Sequence, residues 1–336
     1  MDRKGALNVK MNYKNEKTIP VFFSSDDNYL PFLAVSIRSL IDNLSPSRTC
    51  HIHILNNGLN DASVRRVLDM ATDRVKISLV DVSREIAPLA EKLDLRDYYT
   101  ISIYFRLFIA SLFPQYHRAI YLDADIVVNG DITELYEMPI GNRLVGAIPD
   151  AVIASCEAFQ NYATLGVGIP YQRYFNSGVM LMNLDQFRVQ QIEKKFVYLL
   201  NTYHFETVCP DQDYLNILCR DQVLYLDKGW NKMAIDDRYD GVPNLIHYNN
   251  FFKPWQHDDI CYKDYFWNYA ERTSFYDEIC AIREECRKHI DALHRKGMKN
   301  LHRSVEHIIA GKDNFRRVLA RESIPDYISP EAVYEA

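Results

Sequence analysis

From Ile19 onward, short apolar runs alternate with longer amphipathic stretches. IPVFFSS (19–25) is an unbroken apolar run closing on two small polar residues, the pattern of a strand buried on both faces. Residues 30–44 follow with helical spacing. HIHIL (51–55) predicts a second strand, 60–72 a helix with Asn60 or Asp61 as its N-cap, and VKISLVD (75–81) a third strand. Repeats of this unit predict an α/β fold: a mostly parallel, Rossmann-like sheet flanked by helices.

Beyond this, SIYFRLFIASLF (102–113) reads as an amphipathic helix closed by Pro114, and AIYLDADIVV (119–128) as one buried strand running into carboxylates. Residues 129–175, richer in Gly, Pro and Asn, predict a loop-rich insertion. NSGVMLMNL (176–184) returns to strand and 185–202 to helix. Residues 261–322 read as wholly helical, with Ile290, Leu293, Leu301, Val305 and Ile308 on one face and Lys and Arg around them. The expected organisation is a polar segment over 1–18, a catalytic domain over 19–260 and a helical, basic C-terminal extension over 261–336.

Composition changes this picture little. A chain of 336 residues, 48% hydrophobic and 25% charged, buries enough apolar surface to need no structural staple, so a metal site in it would be catalytic before structural. The seven cysteines include no CxxC pair, which excludes a zinc ribbon or thioredoxin motif and predicts buried thiols in a reducing compartment. No signal-like apolar run opens the chain and no 18 apolar residues run together, so the expected location is cytoplasmic.

Charge is uneven. Net charge is -6, yet residues 287–321 hold ten Lys and Arg against Asp291, Glu306 and Asp313. Such a basic amphipathic tail suits either peripheral contact with the inner face of an anionic membrane or packing of its apolar face on the catalytic domain or a second subunit. Nothing points to nucleic acid.

The chemistry is concentrated where a strand ends. Asp123 and Asp125, at i and i+2, point the same way on an extended backbone and can grip one cation. Oxygen ligands favour Mn2+ or Mg2+, keeping positions open for substrate phosphates. In open α/β sheets, ligands bind beyond the carboxyl ends of strands. The aspartates could equally cap a helix or stay solvated, but carboxylates closing a buried run are costly to desolvate unless paired. His247 could complete a metal shell, and Lys253, six residues on, could hold a phosphate as a point charge; a buried histidine and a surface lysine are the alternative. Ser24, Asp26, Asn28 and Tyr29 could bind and stack a nucleobase, or Asp27 or Asn28 could cap the following helix.

Taken together, FFSSDDNYL, ISIYFRL, YLDADIVV, YFNSGVMLMNL, PDQDYLN and HYNNFFKPW resemble, in order, segments of glycosyltransferase family 8, retaining enzymes of the GT-A fold. The resemblance spans about residues 19–275. It implies Asp123, Asp125 and His247 as Mn2+ ligands, Asp26, Asn28 and Tyr29 as uracil contacts, and Lys253 as the diphosphate lysine. It also implies Arg106, Asn176, Asp211 and Gln212 around the donor sugar and Asp150 near the acceptor. Asn250 stands where relatives often carry a glycine; asparagine can still adopt the left-handed backbone that glycine favours.

The activity so implied is transfer of a hexose from UDP-galactose or UDP-glucose to a hydroxyl of a glycan or lipid-linked glycan, with retention. Asp211 and Gln212 would be the residues nearest the reacting carbon. The rivals fit less well. A haloacid-dehalogenase-type phosphohydrolase carries its DxD on the first strand, whereas three strands precede it here. A pyrophosphorylase usually has a Gly-rich N-terminal loop, and a non-catalytic sugar-binding protein has no need of a metal triad. GVG at 166–168 lacks a third glycine and no GxxxxGK[ST] occurs, which excludes dinucleotide and P-loop readings.

Overall fold

The structure, a computed structural model, describes residues 17–89, 101–235 and 239–326, apart from the side chains of 291–293. The expected polar N-terminal segment, up to residue 16, the last ten residues of the C-terminal extension and the side chain of Leu293 lie outside the described residues.

The strands are β1 (Thr18–Ser24), β2 (Thr49–Asn56), β3 (Val75–Asp81), β4 (Arg118–Leu122), β5 (Ile126–Val128), β6 (Val145–Pro149), β7 (Phe175–Asn183), β8 (Val223–Tyr225), β9 (Lys232–Met233) and β10 (Leu245–His247). Seven of them form a sheet in the order β3-β2-β1-β4-β7-β6-β8, and β5-β10-β9 form a small second sheet. In the large sheet β7 alone runs against its neighbours. Strand order reverses between β1 and β4, the switch point at which such sheets open a binding crevice. Separate apolar clusters cover the two faces, as the continuous apolar strands require.

This topology gathers polar residues at one sheet edge. β1 ends at Ser24, β4 at Leu122 just before Asp123, and β6 at Pro149 just before Asp150. Because β7 is antiparallel, its beginning lies at that same edge, with Val179 opposite Leu122, so Asn176, Ser177 and Gly178 join them.

Several expected elements are redrawn. The single strand over 119–128 is two strands in different sheets, parted at Asp123-Ala124-Asp125, so the acidic pair sits on a bend and not on a continuous extended run. The backbone groups that leave the ladder there find partners on the helix Leu30–Asn43: Ser36 Oγ lies 2.7 Å from Ala124 O and 2.8 Å from Ile126 O, and Ser39 Oγ accepts from Val128 N at 2.9 Å. The expected helix at 102–113 is buried on nearly every side, not amphipathic, and winds as a 3-10 helix over Ile101–Phe108 before a short α-turn at Ile109–Leu112.

The helix expected over 185–202 breaks into Leu184–Val189 and Ile192–Tyr203, because Gln191 takes a left-handed conformation (φ 53). The supposed loop-rich insertion 129–175 holds β6 and helical turns at Ile132–Tyr136, Glu157–Asn161 and Tyr162–Val167. The first helix is capped by neither Asp27 nor Asn28: Asp26 Oδ1 accepts from Tyr29 N at 3.1 Å, while Asp27 ties the loop to Asn60. All cysteines are free, but only Cys50 and Cys219 are buried, fewer than expected.

The C-terminal extension is helical over Lys263–Ala270, Tyr276–Arg287, Ile290–Ala310 and Phe315–Arg321. Of the two settings expected for its apolar face, packing on the rest of the chain is the one observed. Val305, Ile308, Phe315 and Val318 are buried in the core, and Phe315 stacks on Phe205 with ring centroids 3.9 Å apart. No helix among the described residues is long and apolar enough to cross a membrane.

Candidate active site

A cleft of about 680 Å³ opens at the sheet edge, and every site residue singled out in the sequence lines it. They are Ser24, Asp26, Asn28, Tyr29, Arg106, Asp123, Asp125, Asp150, Asn176, Asp211, Gln212, His247, Asn250 and Lys253. The strand ends and β10 account for most of these. The helix Pro210–Leu218 supplies Asp211 and Gln212 from its first turn, and Arg106 comes from the buried 3-10 helix.

At the centre, ligand atoms of Asp123, Asp125 and His247 lie within 4.8 Å of one another. β10 pairs antiparallel with β5, placing His247 opposite Ile126 and its ring beside the acidic bend. His247 Nε2 stands 3.2 Å from Asp125 Oδ1 and 3.7 Å from Asp123 Oδ2. Asp125 Oδ1 is buried and accepts no hydrogen bond, an expense tolerated where a cation is to be bound. Gly178 keeps the space clear, since a Cβ there would collide with Asp123 Oδ2 and His247 Cε1. Acidic and imidazole-bearing, with Asp125 and His247 buried and Asp123 half-buried at the cleft, the residues fit a divalent cation.

Two cations face the acids. Arg106, 3% exposed, donates from Nη2 to Asp123 Oδ1 at 2.8 Å and lies 3.2 Å from Asp211 Oδ2 through Nε. Burial would pull its guanidinium down, but Asp123 and Asp211 more than reverse this and hold it above its usual value. Lys253 is buried against Asp125 Oδ2. Burial lowers the ammonium's affinity for its proton, yet the charge and hydrogen bond of Asp125, with Tyr29 and Asp123, together outweigh that and raise it. For Asp125 the balance is mirrored: burial raises it, and Lys253 with His247 carries it well below the usual carboxylate range.

Behind these residues lies a closed amide network. Asn176 Nδ2 donates to Asp150 Oδ2 and Gln212 Oε1, both at 3.0 Å, and its Oδ1 accepts from Gly178 N at 3.0 Å and Asn231 Nδ2 at 2.9 Å. Gln212 Oε1 also accepts from Ser177 N at 2.9 Å, and its Nε2 donates to Asp150 Oδ2 at 3.0 Å. Asp150 is only 3% exposed, and its Oδ1 accepts from Val152 N and Ile153 N. Ser177 Oγ donates to Asp211 Oδ2 at 2.9 Å. Burial, ahead of the opposing pull of Arg106, raises the Asp211 carboxyl. Asn250 takes the left-handed backbone expected of it, with φ 49.

Sequence reasoning missed several contributors. Ser177 and Gly178 lay inside a quoted motif but carried no chemical flag. Asn231, 3% exposed and within the short helix Lys228–Asn231, has no motif at all. Ile290, His294, Lys296, Gly297 and Asn300 of the C-terminal extension also line the cleft; His294 stacks on Phe251, with centroids 4.6 Å apart.

Comparison with known proteins places the chain in a family. The family model described as Glycosyl transferase family 8 matches residues 20–259. The lipopolysaccharide 1,2-glucosyltransferase of Escherichia coli (strain K12) is 28% identical over 265 residues, covering 73% of this chain and 75% of its own. The lipopolysaccharide glucosyltransferase WaaO of the same strain is 27% identical over 274 residues, covering 76% of each. Among solved structures, the WbbM bifunctional glycosyltransferase is similar with a TM-score of 0.68 at 24% identity; 82% of this chain is covered but only 52% of that one, so the chain spans about half its length. The galactosyltransferase LgtC, in complex with donor and acceptor sugar analogues, has a TM-score of 0.64 at 24% identity, covering 76% of this chain and 96% of that one. These likenesses carry the GT-A fold. Since the family match runs from the first strand past the lysine loop, over well more than half the sequence, the chain belongs to glycosyltransferase family 8 and is a glycosyltransferase.

Proposed function

We propose that the chain moves a hexose from UDP-glucose or UDP-galactose to a hydroxyl of a glycan or lipid-linked glycan, on the cytoplasmic side of a membrane, with Mn2+ and with retention. The observation that carries this reading is the convergence of Asp123, Asp125 and His247 beside Lys253, in the cleft that Ser24, Asp26, Asn28 and Tyr29 also line. The cation would be held by that triad and would neutralise the diphosphate as it leaves. Lys253, released from Asp125 as phosphate arrives, adds a buried positive charge at the same place. Asp26, Asn28 and Tyr29 bind the uracil; Asn250 presents its backbone to the phosphates.

Arg106 orients Asp123 and Asp211 towards the donor sugar. Retention by a covalent route needs a carboxylate nucleophile under the anomeric carbon. The residue proposed there, Gln212, is an amide whose oxygen already accepts from Ser177 N and Asn176. A front-face route is therefore favoured, in which the acceptor hydroxyl attacks from the side the diphosphate leaves and a phosphate oxygen takes its proton. Asp211 supplies negative charge to the developing sugar cation, while Asp150 and Asn176 keep Gln212 in place. The wall formed by His294, Lys296 and Asn300 faces the acceptor.

Slow hydrolysis of UDP-sugars with Mn2+, which needs no acceptor, tests the reading. Hydrolysis of one UDP-hexose, abolished by chelator and in Asp125→Ala, is expected; no hydrolysis and no Mn2+-dependent UDP binding would overturn it. Gln212→Ala is expected to keep measurable transfer, and complete loss in the folded variant with a trapped glycosyl adduct would overturn the front-face route. Because the apolar face of the extension is packed, membrane contact would be electrostatic, through exposed residues such as Arg295, Lys299, Arg303, Arg316 and Arg317. Cosedimentation with anionic vesicles at low salt, lost when these are reversed to Glu, is expected.

A further inference from the structure

Which nitrogen of His247 carries its proton is decided by a chain of amides outside the cation site. Every orientation in that chain is forced, because each ends on a group that can only donate or only accept. Gly178 N–H, a donor only, points at Asn176 Oδ1 at 3.0 Å. Asp150 Oδ2, an acceptor, faces Asn176 Nδ2 at 3.0 Å. Asn176 therefore turns its oxygen toward Asn231, whose Nδ2 donates to it at 2.9 Å. That leaves Asn231 Oδ1 facing His247 Nδ1, also at 2.9 Å. An amide oxygen is no donor, so the proton resides on Nδ1. In the neutral ring Nε2 is then a bare lone pair directed at Asp123 and Asp125.

We propose that Asn231 is a positioning residue of the cation site: it holds His247 in the Nδ1–H tautomer, so that Nε2 stays free as a ligand. The inference rests on the reading of the triad as a divalent-cation site. Its physical content is a competition between two tautomers. With the proton on Nε2, the ring would donate to Asp125 Oδ1, only 3.2 Å away and otherwise without a hydrogen bond. That bond would close the site on itself and occupy two of the three groups meant for the cation. Asn231 tips the choice by making the Nδ1–H form the one with a partner. Asn176 transmits the polarity from Gly178 and Asp150, which is why its amide is fully engaged inside the protein. Hydrogen bonds to the distal nitrogen of a ligating histidine fix its tautomer and typically change metal affinity 10–100-fold.

The test uses the full-length protein with 15N-labelled histidine, free of metal, at a pH where His247 is neutral. Long-range proton–nitrogen spectra distinguish a protonated ring nitrogen from a bare one, with His247 assigned from the signal lost in His247→Gln. Wild type is expected to show Nδ1–H and bare Nε2. Asn231→Leu, close in shape but without either polar atom, is expected to populate Nε2–H and to bind Mn2+, followed by the resonance of the free ion, about 10–100-fold more weakly. Asn231→Asp keeps an acceptor against Nδ1 and is expected to restore the tautomer and most of the affinity, even where repulsion from Asn176 Oδ1 lowers its Tm. A proton on Nε2 in the wild type overturns the proposal. So does wild-type Mn2+ affinity in a folded Asn231→Leu. If Asn231→Leu does not fold, the wild-type spectrum and Asn231→Asp decide. Absence of Mn2+ binding by wild type would instead count against the cation reading, and the spectrum would still report the tautomer.

Discussion

A single methyl group at Gly178 should disable the cation site while leaving the fold in place. A Cβ built there meets Asp123 Oδ2 and His247 Cε1 well inside contact distance, and Asp123 Cγ at 3.0 Å. The strand cannot retreat. Val179 is paired with Leu122 across β4, Gly178 O accepts from Asp123 N at 2.8 Å, and β6 pairs with β7 on the other side. The two ligands must therefore part, by roughly 1 Å to regain ordinary contact, and a misplacement of that size costs about 100-fold in rate.

Overpacking of this kind costs about 1–3 kcal/mol, with a Tm loss of about 2 °C per kcal/mol for a chain this long. Gly178→Ala should thus melt a few degrees lower, bind Mn2+ at least tenfold more weakly and hydrolyse donor about 100-fold more slowly. Gly166→Ala is the control, since its Cβ would meet Ile308 and Tyr162 at an ordinary 3.4 Å. If Gly178→Ala matches wild type in Mn2+ affinity, the ligands are not held as described and the steric reasoning fails.

Other outcomes follow from the same packing. Asp213, fully buried and gripped by Tyr162 and Tyr174 hydroxyls at 2.5 and 2.6 Å, is pushed up by burial to about 7. A carboxyl raised in the fold stabilises it most at low pH, and that contribution falls away as pH rises from the unfolded value through about 7. Urea unfolding should reveal a decline of a few kcal/mol across that window, on the order set by linkage, absent in Asp213→Asn; equal slopes would refute it. Phe315→Ala removes the ring stacked on Phe205 and edge-on to Tyr214, and should cost about 3–5 kcal/mol. The same variant should loosen the extension, read as faster amide exchange over 290–321; unchanged stability would mean the extension is not docked as described. Asp125→Ala strands the buried Lys253 without its counter-ion as well as removing a ligand, so it should lose Mn2+ binding and melt lower than wild type; a higher Tm would show the Lys253 charge is not buried there.

Local sequence was enough for the elements whose chemistry is local. The continuous apolar run at 19–25 is β1, buried on both faces, and the β-branched segments at 51–55 and 75–81 are β2 and β3, the last half exposed with Lys76 and Asp81 in solvent. The motif order placed every expected site residue in the cleft, and Asn250 takes its left-handed backbone as a residue of its type can. What tertiary structure decided is where chain segments far apart meet. The run 119–128 is uniformly apolar around its acids, so nothing in it reveals a change of sheet. That break follows from Ser36 and Ser39, more than 80 residues away, capturing the freed backbone. Asn231 carries no motif because its role is an orientation imposed by Asn176 and read out by His247, and the C-terminal helix joins the cleft only because Val305, Ile308 and Phe315 find a core built by other segments. Periodicity and composition report on a segment's own surroundings. Hydrogen-bond polarity and steric clearance between segments exist only once the chain has closed on itself.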